Sequence, residues 1–136
     1  MVASHGDLSN AILRSAALIA GDKGLQDYVH IEVDLNDSRE KIRKMVDDAI
    51  TAWQPDDEIL VLTDIIGGNV TNILSEYIST HNIHIITGMN LGMVLETLFA
   101  DESTPIDELI ETVLTMGKKG IRYLNEQIEK AGDAEV

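Results

Sequence analysis

The sequence predicts an α/β fold, a three-layer arrangement in which an open, mainly parallel sheet of strand order 2-1-3-4 carries helices on both faces. Short β-branched runs alternate with longer stretches of helical period, the pattern of parallel strands joined by crossover helices. The run Glu58 to Thr63 (EILVLT) is almost unbroken in apolar character, as a strand buried on both faces requires. A histidine directly follows the first strand and an aspartate directly follows the third. If the third strand lies beside the first, opposite the second, those two residues face each other at the switch point where loops diverge.

The first strand is short, Met1 to Ser4 (MVAS), and Leu8, Ala11, Ile12, Ala16 and Ile19 then recur at helical spacing up to Gly21. Tyr28 to Val33 (YVHIEV) reads as the second strand. Ile42, Met45, Val46, Ala49, Ile50 and Trp53 mark one apolar face of a helix that Asp37 or Ser38 caps and Pro55 ends. After Glu58 to Thr63, the stretch Asp64-Ile65-Ile66-Gly67-Gly68-Asn69 leads into a helix through Tyr77, and Ile83 to Thr87 (IHIIT) forms the fourth strand. Leu91 to Phe99 is helical, and so is the segment carrying Ile106, Leu109, Ile110, Val113 and Leu114 after Pro105. Gly117 and Gly120 each weaken that helix by about 1 kcal/mol relative to Ala, which predicts a break between Met116 and Ile121. The chain reads as one domain over residues 1–130, with a frayed tail over 131–136.

The 136 residues are 44% hydrophobic and 25% charged, an ordinary globular balance, and no apolar run approaches the roughly 20 residues of a membrane span. No basic region followed by an apolar stretch and a small-residue cleavage site opens the chain, so a cytoplasmic location is expected. The absence of cysteine removes disulfides, thiolate metal sites and thiol nucleophiles together. Ten Lys and Arg against 24 Asp and Glu give a net charge of -14, which repels nucleic acid and anionic lipid and favours a basic protein partner.

His5, Asp64 and the Gly67-Gly68 pair together suit phosphoryl transfer. A neutral imidazole, predominant at pH 7 with an ordinary pKa of about 6.5, offers one ring nitrogen for attack on phosphorus without a base. Its other nitrogen is best held protonated by an acceptor that fixes the tautomer and stabilises charge on the ring, a role for the Asp64 carboxylate. Gly67 and Gly68 let backbone amides and a helix start approach phosphoryl oxygens, and Gly6 clears a side chain from beside the histidine. Asn69, Thr71 and Asn72 are candidate side-chain donors, and Asp7 and Ser9 candidate caps of the first helix. His30 and His84 in strands and His81 in a turn read as structural or solvated, Trp53 and the methionines as packing. No His-Glu-x-x-His or comparable spacing appears, so neither metal nor cofactor is expected.

Three segments carry a resemblance: Ser4-His5-Gly6, Asp64-Ile65-Ile66-Gly67-Gly68-Asn69-Val70-Thr71-Asn72, and Thr87-Gly88-Met89-Asn90 with the residues after it through Leu98. In order and spacing, to about Tyr123, the chain resembles the IIA domain of the mannose family of bacterial sugar phosphotransferase systems. The resemblance implies a component phosphorylated on Nε2 of His5, with Asp64 beside it, that takes the group from the histidine-containing phosphocarrier protein and passes it to a IIB component. Membrane IIC and IID components are then indirect partners. It also implies a homodimer with an exchanged carboxy-terminal segment, although no strand for that exchange is evident. Two positions depart from the family pattern: only Met1 to Ser4 precede His5, leaving open a native start upstream, and Asn69 stands where serine is usual. The alternatives are the phosphoryl-carrying subunit of a dihydroxyacetone kinase, which also begins with a strand leading into Ser-His, and a regulatory module that senses phosphorylation without passing it on.

Overall fold

The computed structural model describes residues 1–134. Four strands, β1 (Val2–His5), β2 (His30–Val33), β3 (Ile59–Thr63) and β4 (Ile83–Ile86), form one sheet in the order β2-β1-β3-β4, and every pairing is parallel. Helices α1 (Leu8–Ala20), α2 (Arg39–Ile50), α3 (Asn69–Ser75), α4 (Leu91–Phe99), α5 (Ile106–Lys119) and α6 (Leu124–Ala134) complete the chain. The predicted strand order is the observed one.

Two apolar layers follow from the period-two alternation of the strands. Ala3, Ile31, Val33, Val61 and Ile83 face Ile42 and Val46 of α2 and Val70, Ile73 and Leu74 of α3. Val2, Leu62 and Ile86 face Ile12, Leu13 and Ala16 of α1, Met93 and Val94 of α4, and Val113 of α5. Ile42, Leu62 and Ile73 are fully enclosed, each contributing about 2 to 3 kcal/mol of apolar burial.

β1 is a short strand held from several sides. It pairs with β2 over four residues, Val2↔His30 to His5↔Val33. With β3 it pairs over only two, Val2↔Leu62 and Ala3↔Thr63. Past Ala3 the two central strands diverge. At the opposite edge the Met1 amino group donates to the Leu60 carbonyl at 2.9 Å, and the Leu62 amide donates to the Met1 carbonyl at 3.0 Å.

Several boundaries differ from the sequence reading, each for a local reason. The second strand starts at His30 because a short 3-10 turn, Leu25–Asp27, occupies the chain before it, and Tyr28 pairs its hydroxyl with that of Thr97. α2 starts where Ser38 accepts the Lys41 amide at 3.1 Å but ends at Ile50, and Trp53 packs on the core from the following turn. α3 stops at Ser75 because Glu76 and Tyr77 donate to carbonyls three residues back, a tightened turn, and not four. The predicted break falls after Gly120, between α5 and α6, whereas Gly117 is a buried interior residue of α5. The chain is helical to Ala134, past the expected fraying point near Lys130; the last two tail residues lie outside the described residues.

Candidate functional site

His5 is the last residue of β1, two residues beyond Ala3, where β1 and β3 stop pairing, and Asp64 follows β3 across that gap. One carboxylate oxygen spans it. Asp64 Oδ2 accepts the His5 backbone amide at 2.8 Å and lies 2.8 Å from His5 Nδ1, while Oδ1 accepts the Ile65 amide at 2.8 Å. Burial raises the Asp64 pKa, but the His5 amide, the His5 ring and the Ile65 amide outweigh it and hold the carboxyl below the ordinary carboxylate range. An ionised carboxylate only accepts, so Nδ1 carries the proton in this pair and Nε2 the lone pair. The imidazole is 49% exposed and the carboxylate 12%, so the ring is held from behind and open in front.

The glycines divide by cause. Gly6 has φ +57° and Gly67 φ +79°, in the left-handed region where a side chain is strained. The backbone of Gly6 by itself demands glycine, and apart from its chain neighbours a Cβ there would meet nothing within 4 Å. Gly68 is the N-cap of α3 at φ -71° and ψ 157°, a conformation open to any residue.

Among the candidate donors, Thr71 and Asn72 are engaged: Thr71 Oγ1 donates to the Ile65 carbonyl at 2.9 Å and Asn72 Nδ2 to the Gly67 carbonyl at 3.2 Å. They brace the 65–67 turn instead of facing a ligand. Asn69 is exposed in the first turn of α3, and among the described residues its side-chain amide has no hydrogen-bond partner. Asp7 stands at the N-cap of α1 without a side-chain bond. That cap comes from Ser4, fully buried in β1, whose Oγ accepts the Ser9 amide at 2.8 Å, while Ser9 Oγ donates to the Ile31 carbonyl at 3.0 Å. Ser4 thus ties β1 to the helix after His5; a lone small polar residue ending an apolar strand is the signal that marks it.

The third motif is also structural. Asn90 caps α4 by accepting the Met93 amide at 3.1 Å and donates from Nδ2 to the Gly117 carbonyl at 3.1 Å, fastening α4 to α5. The remaining histidines are away from the site: His30 opens β2, His81 lies in the turn before β4, and His84 pairs with Glu58 at 3.6 Å. Among the described residues no group of three or more His, Asp or Glu side chains is placed to hold a metal ion, and no helix is long and apolar enough to cross a membrane. A cavity of about 220 Å³ lined by Tyr28, Trp53, Leu60 and Leu109 opens at the opposite edge of the sheet, without His5.

The sequence model of the family described as PTS system fructose IIA component matches residues 1–114. The chain belongs to this family. The IIA chain is 26% identical over 140 residues to the "PTS system mannose-specific EIIAB component" of Escherichia coli K12, an alignment covering 98% of this chain and 42% of that protein. A Shigella flexneri protein of the same description matches equally. The chain therefore spans about two fifths of the length of the curated relatives it matches. Among solved structures, a phosphotransferase system component EIIA from Streptococcus agalactiae superposes with TM-score 0.76 at 25% identity, covering 92% of this chain and 95% of that one. A phosphotransferase system permease structure from Klebsiella pneumoniae gives TM-score 0.77 at 28% identity, covering 93% and 90%. The mannose/sorbose specific IIA subunit from Enterococcus faecalis, at 24% identity, shares the fold with TM-score 0.78 over 89% of each chain.

Proposed function

We propose that this IIA chain is a cytoplasmic phosphoryl carrier whose acceptor atom is Nε2 of His5. The observation that carries the reading is the His5–Asp64 pair, in which Nδ1 is hydrogen-bonded at 2.8 Å in a half-exposed ring whose Nε2 has no hydrogen-bond partner among the described residues. The donor is the phosphorylated histidine-containing phosphocarrier protein, and the acceptor is a histidine of a IIB component. The Nε2 lone pair forms a bond to phosphorus as the donor's P–N bond breaks, and that electron pair returns to the donor imidazole. The positive charge developing on the His5 ring is stabilised through Nδ1–H by Asp64. In the second transfer the same steps run outward, with His5 as the leaving group.

Gly67 and Gly68 open α3, whose first turn has no side-chain cap, and the unpaired amides there, with the Asn69 side chain, are the donors proposed for the phosphoryl oxygens. A protein partner suits the surroundings better than a small molecule, because Leu8, Ile65 and Ile66 near the ring are exposed. A homodimer is proposed from α5, α6 and the turn between them, which expose Leu114, Met116, Ile121, Leu124 and Ile128. IIC and IID components are reached only through IIB.

The test is phosphorylation by phosphoenolpyruvate, the upstream kinase and the phosphocarrier. The expected product is an acid-labile, base-stable phosphate on His5 that a IIB component removes and that His5→Ala lacks. A phosphate mapped to another residue, or undiminished in His5→Ala, overturns the proposal. Phosphorylated protein that is stable toward a cognate IIB favours the regulatory alternative.

A further inference from the structure

We infer that Gly68 is a positioning residue for His5: the side chain it lacks leaves the slot in which the imidazole edge sits. Its backbone, at φ -71°, does not call for glycine, unlike that of Gly6 and Gly67. Space does. A Cβ on Gly68 would stand 2.7 Å from His5 Cε1, 3.5 Å from His5 Nε2 and 3.2 Å from Ile65 Cγ2. Non-bonded carbons settle at about 3.5 to 4.0 Å, so the first of these separations is a collision.

The ring has little freedom to yield in place. Asp64 Oδ2 holds both the backbone amide of His5 and Nδ1, each at 2.8 Å, so moving the Cε1 edge away from residue 68 breaks or bends the Nδ1 bond. The seat is therefore two-sided, with a carboxylate behind Nδ1 and an empty position beside Cε1. Together they fix which nitrogen is protonated and where the other one points. Any L-residue at 68 puts its Cβ in the same place, so even alanine disturbs the seat. The kinetic part of this inference rests on the carrier role of His5; the geometric part does not.

Three measurements test it. In nitrogen-15 histidine correlation spectra the native protein is expected to show a single His5 tautomer, protonated at Nδ1, and Gly68→Ala a mixture. Phosphoryl uptake from the phosphocarrier is expected to slow at least tenfold in Gly68→Ala. Gly92→Ala in α4 is the control, because its Cβ would meet only Asn90 Oδ1 at 3.5 Å and the Met116 carbonyl oxygen of α5 at 3.9 Å, and it is expected to change neither result. Third, Gly68→Ala is expected to lower the melting temperature more in the native background than in His5→Ala, where the colliding ring is gone and only the 3.2 Å approach to Ile65 Cγ2 remains. An unchanged tautomer with native uptake overturns the inference, as does an equal melting shift in both backgrounds. Failure of the native protein to accept phosphate, with the tautomer and melting responses present, supports the seat and refutes the carrier role.

Discussion

Replacing Asp64 with asparagine keeps the shape of the side chain and removes its charge. The carboxylate accepts three hydrogen bonds of 2.8 Å, from the His5 amide, the His5 ring and the Ile65 amide. Asparagine has one accepting oxygen, so in either orientation its NH2 group faces a backbone N–H. Bonds to an ionised partner contribute about 1.5 to 3 kcal/mol and neutral ones about 0.5 to 1.5, so the raw loss is about 3 kcal/mol. Water reaches this open edge and can replace part of it, leaving an expected net loss of about 1 to 2 kcal/mol. For a chain of this length that lowers the melting temperature by about 3 to 8 °C. Transfer should suffer more, because the ring gains positive charge as the P–N bond forms, and loss of the carboxylate there is expected to slow uptake about 100-fold, or roughly 2.7 kcal/mol.

The pH dependence has a defined sign. The folded carboxyl lies below its ordinary value, so its contribution is full above that value, near about 4, and is lost as pH falls through the folded one. The native protein's stability advantage over Asp64→Asn should therefore be constant at neutral pH and shrink below about pH 4. Rapid-quench phosphorylation and thermal melts across that range measure both effects. A native transfer rate together with an unchanged melting temperature at pH 7 would refute the reasoning and leave Asp64 as a bystander.

Three further outcomes follow from the packing. Tyr77 donates to Asp47 at 2.6 Å, and burial followed by that carboxylate pushes its pKa up to about 12, so its contribution is present below pH 10 and lost as pH rises toward 12. Urea midpoints at pH 9 and 11 should fall further in the native protein than in Tyr77→Phe; equal falls refute the assignment. Gly117→Ala would place a Cβ 2.6 Å from Met93 Cγ, and Gly120→Ala only 3.6 Å from the Met116 carbonyl oxygen. Overpacking costs about 1 to 3 kcal/mol against a helix gain of about 1, so Gly117→Ala should melt lower and Gly120→Ala no lower than the native chain. Ser38→Ala removes the cap on the Lys41 amide and should cost about 1 kcal/mol of stability in denaturant titrations, whereas an unchanged midpoint would show the cap to be idle.

What was legible before the structure is what periodicity and topology control. The apolar run of β3 marked the buried centre, and the expected order 2-1-3-4, which is the observed one, implied that His5 and Asp64 after strands one and three would face each other. Helix α4 spans the segment its pattern marked, Leu91–Phe99. Long-range packing was not legible in the same way. Gly117 reads as a helix breaker in isolation, yet it is where α5 presses against Met93, and only the neighbour across the interface distinguishes the two. Gly6, Gly67 and Gly68 look alike in sequence but differ in φ, so a single steric argument could not serve all three. Ser4 stands out as a polar residue in an apolar strand, but its role was not legible, because it depends on the Ser9 amide coming back to the strand end.

The divergence of β1 and β3 past Ala3 leaves the centre of the sheet shaped like a fork, with His5 on one prong and Asp64 on the other. Elsewhere the prongs are joined by a ladder of backbone bonds; here a single side-chain oxygen is the clasp. The same atom grips the main chain and the ring of one residue, so loss of that carboxylate removes the support of the imidazole and of the strand that carries it at once. In the proposed carrier a partner approaching the open side would meet a ring already aimed, and whatever unfastens the clasp, acid or substitution, would act on the ring and the sheet together.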